Sequence, residues 1–85
     1  MFRFSKHFTK NFKHLAKKYH IESDFDSFLE NFDKEHSHAT TIRKNIFKSR
    51  IKNSDKAKGK SGGYRTYYYV VTDENITFLI IAEIE

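Results

Sequence analysis

The chain has 85 residues, no cysteine, no proline and a net charge of +5. At that length one modest hydrophobic core is the limit, so a single domain is expected; without cysteine a disulfide framework and a thiolate metal site are excluded, which suits a reducing compartment. No apolar run approaches the ~18 residues of a membrane span, and the basic N-terminus lacks the apolar stretch of a secretion signal, so the expected setting is cytoplasmic, with no membrane partner.

Met1–Phe4 alternates Phe2 and Phe4 around Arg3, the period-two pattern of a short strand. Ser5 can cap the helix that follows. Phe8, Phe12, Leu15, Ala16 and Tyr19 form one apolar stripe, which predicts a helix over Lys6–Tyr19. Ser23 and Asp26 stand at capping-box spacing, and Phe25, Phe28, Leu29 and Phe32 repeat the helical interval. A second helix is therefore expected over roughly Asp24–Lys34, with Asp24 and Asp26 in the first turn, where the helix dipole favours acids. The short link between the two makes a helical hairpin.

His36–Thr41 reads as a polar connector, after which the period changes to two. Phe47, Ser49 and Ile51 would face one side of a strand, and Ile46, Lys48, Arg50 and Lys52 the other. Asn53–Gly63 has the composition of a loop or wide hairpin turn, and Tyr64–Val71 is an aromatic, β-branched strand. Thr72–Asn75 is a turn. Ile76–Ile84 is so apolar that it should be buried on both faces at the centre of the sheet. The expected fold is α+β of order β-α-α-β-β-β, a helical hairpin packed on a small, mostly antiparallel four-stranded sheet.

Charge is distributed in blocks. Residues 1–20 carry +6, residues 21–42 carry −5, residues 43–65 carry +8 and residues 66–85 carry −4. The dense basic block implies either a polyanion partner, nucleic acid first among them, or a solvated lysine face that offsets the acidic block. It ends in KGKSGGYRTYYYVV, Lys58–Val71. GKS invites a phosphate-loop reading, but Ser54 stands where that pattern needs its first glycine, and a strand follows instead of a helix. The direct reading is a turn in which Gly59, Gly62 and Gly63 let a phosphate approach the backbone. Lys56, Lys58 and Lys60 add point charges, and Arg65 adds a planar donor fork. If the flanking strands pair, Arg50, Lys52 and Arg65 converge. Tyr67 and Tyr69 share the Arg65 face, where they can stack on bases or form half-buried cross-strand pairs; Tyr64 and Tyr68 read as half-buried cross-strand pairs.

The segment NSDKAKGKSGGYRTYYYVV, Asn53–Val71, resembles the central motif of the RelE/ParE superfamily of toxins from bacterial type II toxin–antitoxin systems, in particular its RelE/HigB-like members. The likeness is sharp over about Arg43–Val71 and extends to the element order. It implies a RelE-like toxin domain over residues 1–85, held in check by a cognate antitoxin protein. RelE-type members cut messenger RNA in the small-subunit decoding site of the ribosome and so inhibit translation. ParE-type members share the fold and inhibit DNA gyrase without being nucleases, and the motif does not separate the branches.

Cleavage by attack of the neighbouring 2′-hydroxyl needs a base, cations on the developing phosphorane and an acid for the leaving oxygen; it needs no metal or other cofactor. Arg65 matches the family's phosphate-contacting arginine. Lys52 and Lys60, with Lys58, are candidates for proton transfer, because a crowded cation loses affinity for its proton, and Tyr67 is a further catalytic candidate. Lys48, Arg50, Lys56, Lys58 and Tyr69 would hold the RNA. RelE-type toxins usually carry a tyrosine, lysine or histidine on a tail after the last strand. Here the chain reads IIAEIE to its last residue, so Tyr67, Tyr69 or a histidine would stand in, or the protein would be an inactive or truncated member that binds only RNA or antitoxin. His7 and His14 flank the helical stripe and are expected exposed. His20 would favour the C-terminal dipole of the first helix, and the i, i+2 spacing of His36 and His38 is by itself only a weak metal signal.

Overall fold

The computed structural model describes residues 1–55 and 63–84. Its elements are β1 (Phe2–Phe4), α1 (Lys6–Ala16), α2 (Ile21–Glu30), α3 (Phe32–His36), β2 (Thr40–Arg43), β3 (Ile46–Ile51), β4 (Tyr64–Thr72) and β5 (Asn75–Glu83). The fold is α+β. The strands form a five-stranded mixed sheet of order β1-β5-β4-β3-β2, with β1 parallel to β5 and the other neighbours antiparallel.

The helices cover one face. Phe8 and Leu15 of α1, Ile21, Phe25 and Phe28 of α2 and Phe32 of α3 are buried against Ile51, Tyr64, Tyr68, Ile76, Phe78 and Ile81 of the sheet. Phe78 is the hub: its ring meets Phe25 edge-on at 5.2 Å and lies 5.3 Å from Tyr68 and 5.8 Å from Phe8. Such aromatic pairs add stabilisation beyond the area they bury. Ser5 caps α1 as expected, its Oγ accepting from the Phe8 N–H at 2.9 Å, and it also donates to the Leu79 carbonyl at 2.7 Å.

Five sequence expectations are corrected. Helix two begins at Ile21, because Ile21 is fully buried and the Asp55 carboxylate accepts the His20 N–H at 2.6 Å; the Ser23–Asp26 box is not used, and Ser23 donates to the His20 carbonyl. His20 is thus the N-cap of α2. The same helix breaks at Asn31, whose side-chain amide donates to the Ser27 carbonyl at 3.0 Å and competes with the helical ladder. The polar connector contains a fifth strand, β2, turned back into β3 at Lys44–Asn45, where Asn45 takes a φ of 67°. β5 is central, but only one of its faces is buried: Ile80 is 38% exposed and Ala82 is also exposed, since no helix covers the second face. Tyr64 and Tyr68, expected half-buried, are fully buried.

Candidate nucleic-acid interface

The uncovered face of the sheet is where the basic strand residues meet. Phe47, Ser49 and Ile51 of β3 point to the helices, so Ile46, Lys48 and Arg50 point the other way. The β3–β4 register places Arg50 opposite Arg65, Lys48 opposite Tyr67 and Ile46 opposite Tyr69. It continues through Thr40 beside Lys48, Arg43 beside Ile46, Thr77 beside Tyr69 and Arg3 beside Thr77. Five cations therefore share this face with two tyrosines, and none of the strand positions directed to it is an acid. Opposed residues hold their Cβ atoms about 5 Å apart, and like charges so placed are destabilising. The arrangement is costly for the folded chain by itself and favourable once a polyanion lies across it.

β2 ends too soon to cover all of β3. It pairs with Ile46, Phe47 and Lys48, and among the described residues no strand lies beside Ser49–Ile51 on that side. The gap opens into a groove of about 880 Å³ that runs from the open face round the edge of β3 to α2. Lys48, Arg50, Lys52 and Arg65 line it together, with His38 and Thr40 on the β2 side. Its helical wall carries Asp24, Phe28 and Glu35. Of the candidates from the sequence, Lys48, Arg50, Lys52 and Arg65 are thus gathered in one groove, and Tyr67 and Tyr69 lie on the adjoining face, Tyr69 at 37% exposure. Lys56, Lys58 and Lys60 lie outside the described residues.

His38, which the sequence reading weighed only as a metal ligand, is brought into the groove. Its Nδ1 lies 3.0 Å from the Lys34 carbonyl, which can only accept, so Nδ1 carries the proton of the neutral ring. Nε2 is left with its lone pair, the form a general base requires. His36 has a different fate. It stacks on Phe32, meets Phe47 edge-on at 4.6 Å and hydrogen-bonds the Tyr68 hydroxyl at 2.8 Å on the helical side. Burial pushes the Tyr68 phenol up to about 12 and the Tyr64 phenol higher still, so neither is an acid–base group near neutrality.

The entrance to the basic loop is fastened to α2. Asp55 accepts from both the backbone N–H and Nδ1 of His20, at 2.6 and 2.7 Å, and Asp24 accepts from the Ser54 N–H at 3.0 Å. Asn53 is fully buried, and its Oδ1 accepts from the Asp55 N–H at 2.9 Å. At the loop's far end, the Gly63 carbonyl accepts from the Ile84 N–H at 2.9 Å. A Cβ on Gly63 would run into the Ile51 carbonyl, so a glycine is required where β4 leaves the loop.

Among the described residues, no three His, Asp or Glu side chains cluster as a metal ion would need, and no helix is long and apolar enough to cross a membrane. No family model, curated protein or solved structure matches the chain.

Proposed function

We propose that this protein is a cytoplasmic toxin of RelE/HigB-like type, an endoribonuclease that cuts messenger RNA on the ribosome and is silenced by a cognate antitoxin. The observation that carries the reading is the opposed pair Arg50 and Arg65, on an acid-free sheet face beside Lys48, Tyr67 and Tyr69. The resemblance of Asn53–Val71 to the RelE/ParE motif supplies the target class.

In this reading the two guanidiniums grip the scissile phosphate and stabilise the charge that grows on the phosphorane, the kind of preorganised electrostatic aid that dominates many rate enhancements. The 2′-oxygen attacks phosphorus, its proton passes to His38 Nε2, and the P–O5′ bond breaks. The products are a 2′,3′-cyclic phosphate and a 5′-hydroxyl, the latter protonated by a lysine ammonium of the groove, Lys52 in this reading, while Lys48 holds the RNA. Tyr69 offers its exposed ring to a neighbouring base, and the Tyr67 hydroxyl is a further donor to phosphate.

Primer extension on programmed ribosomes, comparing the protein with Arg65→Ala, tests this. Cuts at decoding-site codons that vanish with Arg65→Ala support it. Intact messenger RNA with ribosome binding retained would mark an inactive member, and intact messenger RNA with inhibited supercoiling would mark a gyrase blocker.

A further inference from the structure

A second basic surface lies on α1, away from the groove. Lys6, Lys10, Lys13 and Lys17 recur at intervals of four, three and four residues. At 3.6 residues per turn this keeps all four within about 60° of one another around the axis, in a row about 16 Å long. Lys17, the C-cap, holds helical φ and ψ, so it continues the row. All four side chains are exposed, and among the described residues none is in an ion pair.

Two features set the row apart from an ordinary solvated helix face. Like charges three and four residues apart repel, and α1 has no acid to interleave with them. Lys6 also sits in the first turn, where the helix dipole disfavours a cation. Lys13 and Lys17 sit at the other end, where the dipole favours cations, so what an anionic partner would relieve is the mutual repulsion of the row and the position of Lys6.

We infer that the lysine row of α1 is a separate docking surface for the phosphate backbone of double-helical RNA. Four flexible point charges in line suit a regular, closely spaced line of phosphates and carry no means of reading bases. An anionic membrane surface would gain only the electrostatic part of such binding, because Phe8 and Leu15 on the opposite side of α1 are buried in the core at 3% and 6% exposure. The inference rests on the proposed function only in preferring RNA to DNA. It gives the protein two RNA contacts, one for a strand in the groove and one that grips folded RNA beside it.

Fluorescence anisotropy with a blunt RNA duplex of about 16 base pairs tests the surface without any cleavage readout. Four phosphate contacts predict that duplex affinity falls roughly 150-fold between 50 and 200 mM salt. In the variant carrying Lys10→Gln, Lys13→Gln and Lys17→Gln the fall should shrink to about 4-fold, while the same three sites changed to arginine should keep the wild-type dependence. Arg50→Gln with Arg65→Gln should leave duplex binding in place. A salt dependence unchanged by the glutamines, or lost instead with the two arginines, overturns the inference. So does equal affinity for a DNA duplex of the same sequence, or a loss confined to anionic phosphatidylglycerol vesicles. Failure to cut messenger RNA would overturn the proposed function and leave the duplex result standing.

Discussion

Arg50 and Arg65 face each other across β3 and β4 on the open side of the sheet, each at the other's register position. A sheet selected only for stability would place an acid at one of these sites. Changing Arg50 to Thr should therefore raise stability by a few tenths of a kcal/mol, since opposed like charges are removed and a β-branched residue suits the strand. The same change should lower cleavage by about 10²-fold or more, in line with loss of one donor to a developing oxyanion. Urea denaturation and primer extension on one preparation check both directions. A variant that is less stable and fully active would remove the case for a phosphate clamp.

The shared face was legible in the sequence because the alternation of Phe47, Ser49 and Ile51 with Lys48 and Arg50 fixes the two faces of β3, and Arg65 is the second residue of β4, whereas the register that sets Arg50 opposite Arg65 was not. The apolar stripe of α1 and the aromatic spacing of α2 were legible for the same reason: each has a buried side with the period of its element. β2 was not, because every residue of Thr40–Arg43 is exposed and no apolar alternation marks it. The break at Asn31 was hidden because Phe28 and Phe32 keep helical spacing across it. His38 could not be placed from local pattern at all, since its place in the groove with Arg50 depends on where β2 stops pairing with β3.

His38 makes a sharper test than any lysine in the groove. If Nε2 takes the 2′-hydroxyl proton, His38→Gln should reduce the rate constant for cleavage by about 10²- to 10⁴-fold. Ribosome and RNA affinity should stay within about 3-fold, because one exposed imidazole adds little to a complex held by several phosphate contacts. The limb of the pH–rate profile that reports the base should disappear in the variant. Equal loss of affinity and rate would instead make His38 a binding residue.

Gly63 is a structural requirement of the site. Gly63→Ala forces a methyl group against the Ile51 backbone, and a carbonyl cannot turn away as a side-chain tip can. The strain should cost about 1–3 kcal/mol, as overpacking does. It falls where Arg50 of β3 and Arg65 of β4 are held in register, and where Gly63 accepts from the Ile84 N–H. The variant should melt several degrees lower and lose cleavage disproportionately, measured at a temperature where it remains folded. Unchanged melting and activity would show that β3 and β4 can part here without consequence.

The last prediction concerns pH. His20 gains its proton more readily than usual because Nδ1 donates to Asp55, and the Asp55 carboxyl is held below its usual range first by the His20 backbone N–H and then by the ring. The raised histidine contributes stability that is complete below its unfolded value, about 6.5, and is lost as pH rises through its folded value. The lowered carboxylate contributes stability that is complete above its unfolded value, about 3.9, and is lost as pH falls through its folded value. Both are present together between about pH 4 and 6.5, so the fastening of the loop entrance to α2 should be firmest there. Amide protection factors at His20 and Asp55, which divide out the intrinsic pH dependence of exchange, should be highest in that window and fall on either side. His20→Ala should flatten the alkaline limb while leaving an acidic one, because Asp55 can still accept the backbone N–H at position 20. Asp55→Asn should flatten both. An alkaline limb that persists in His20→Ala would place the titrating group elsewhere.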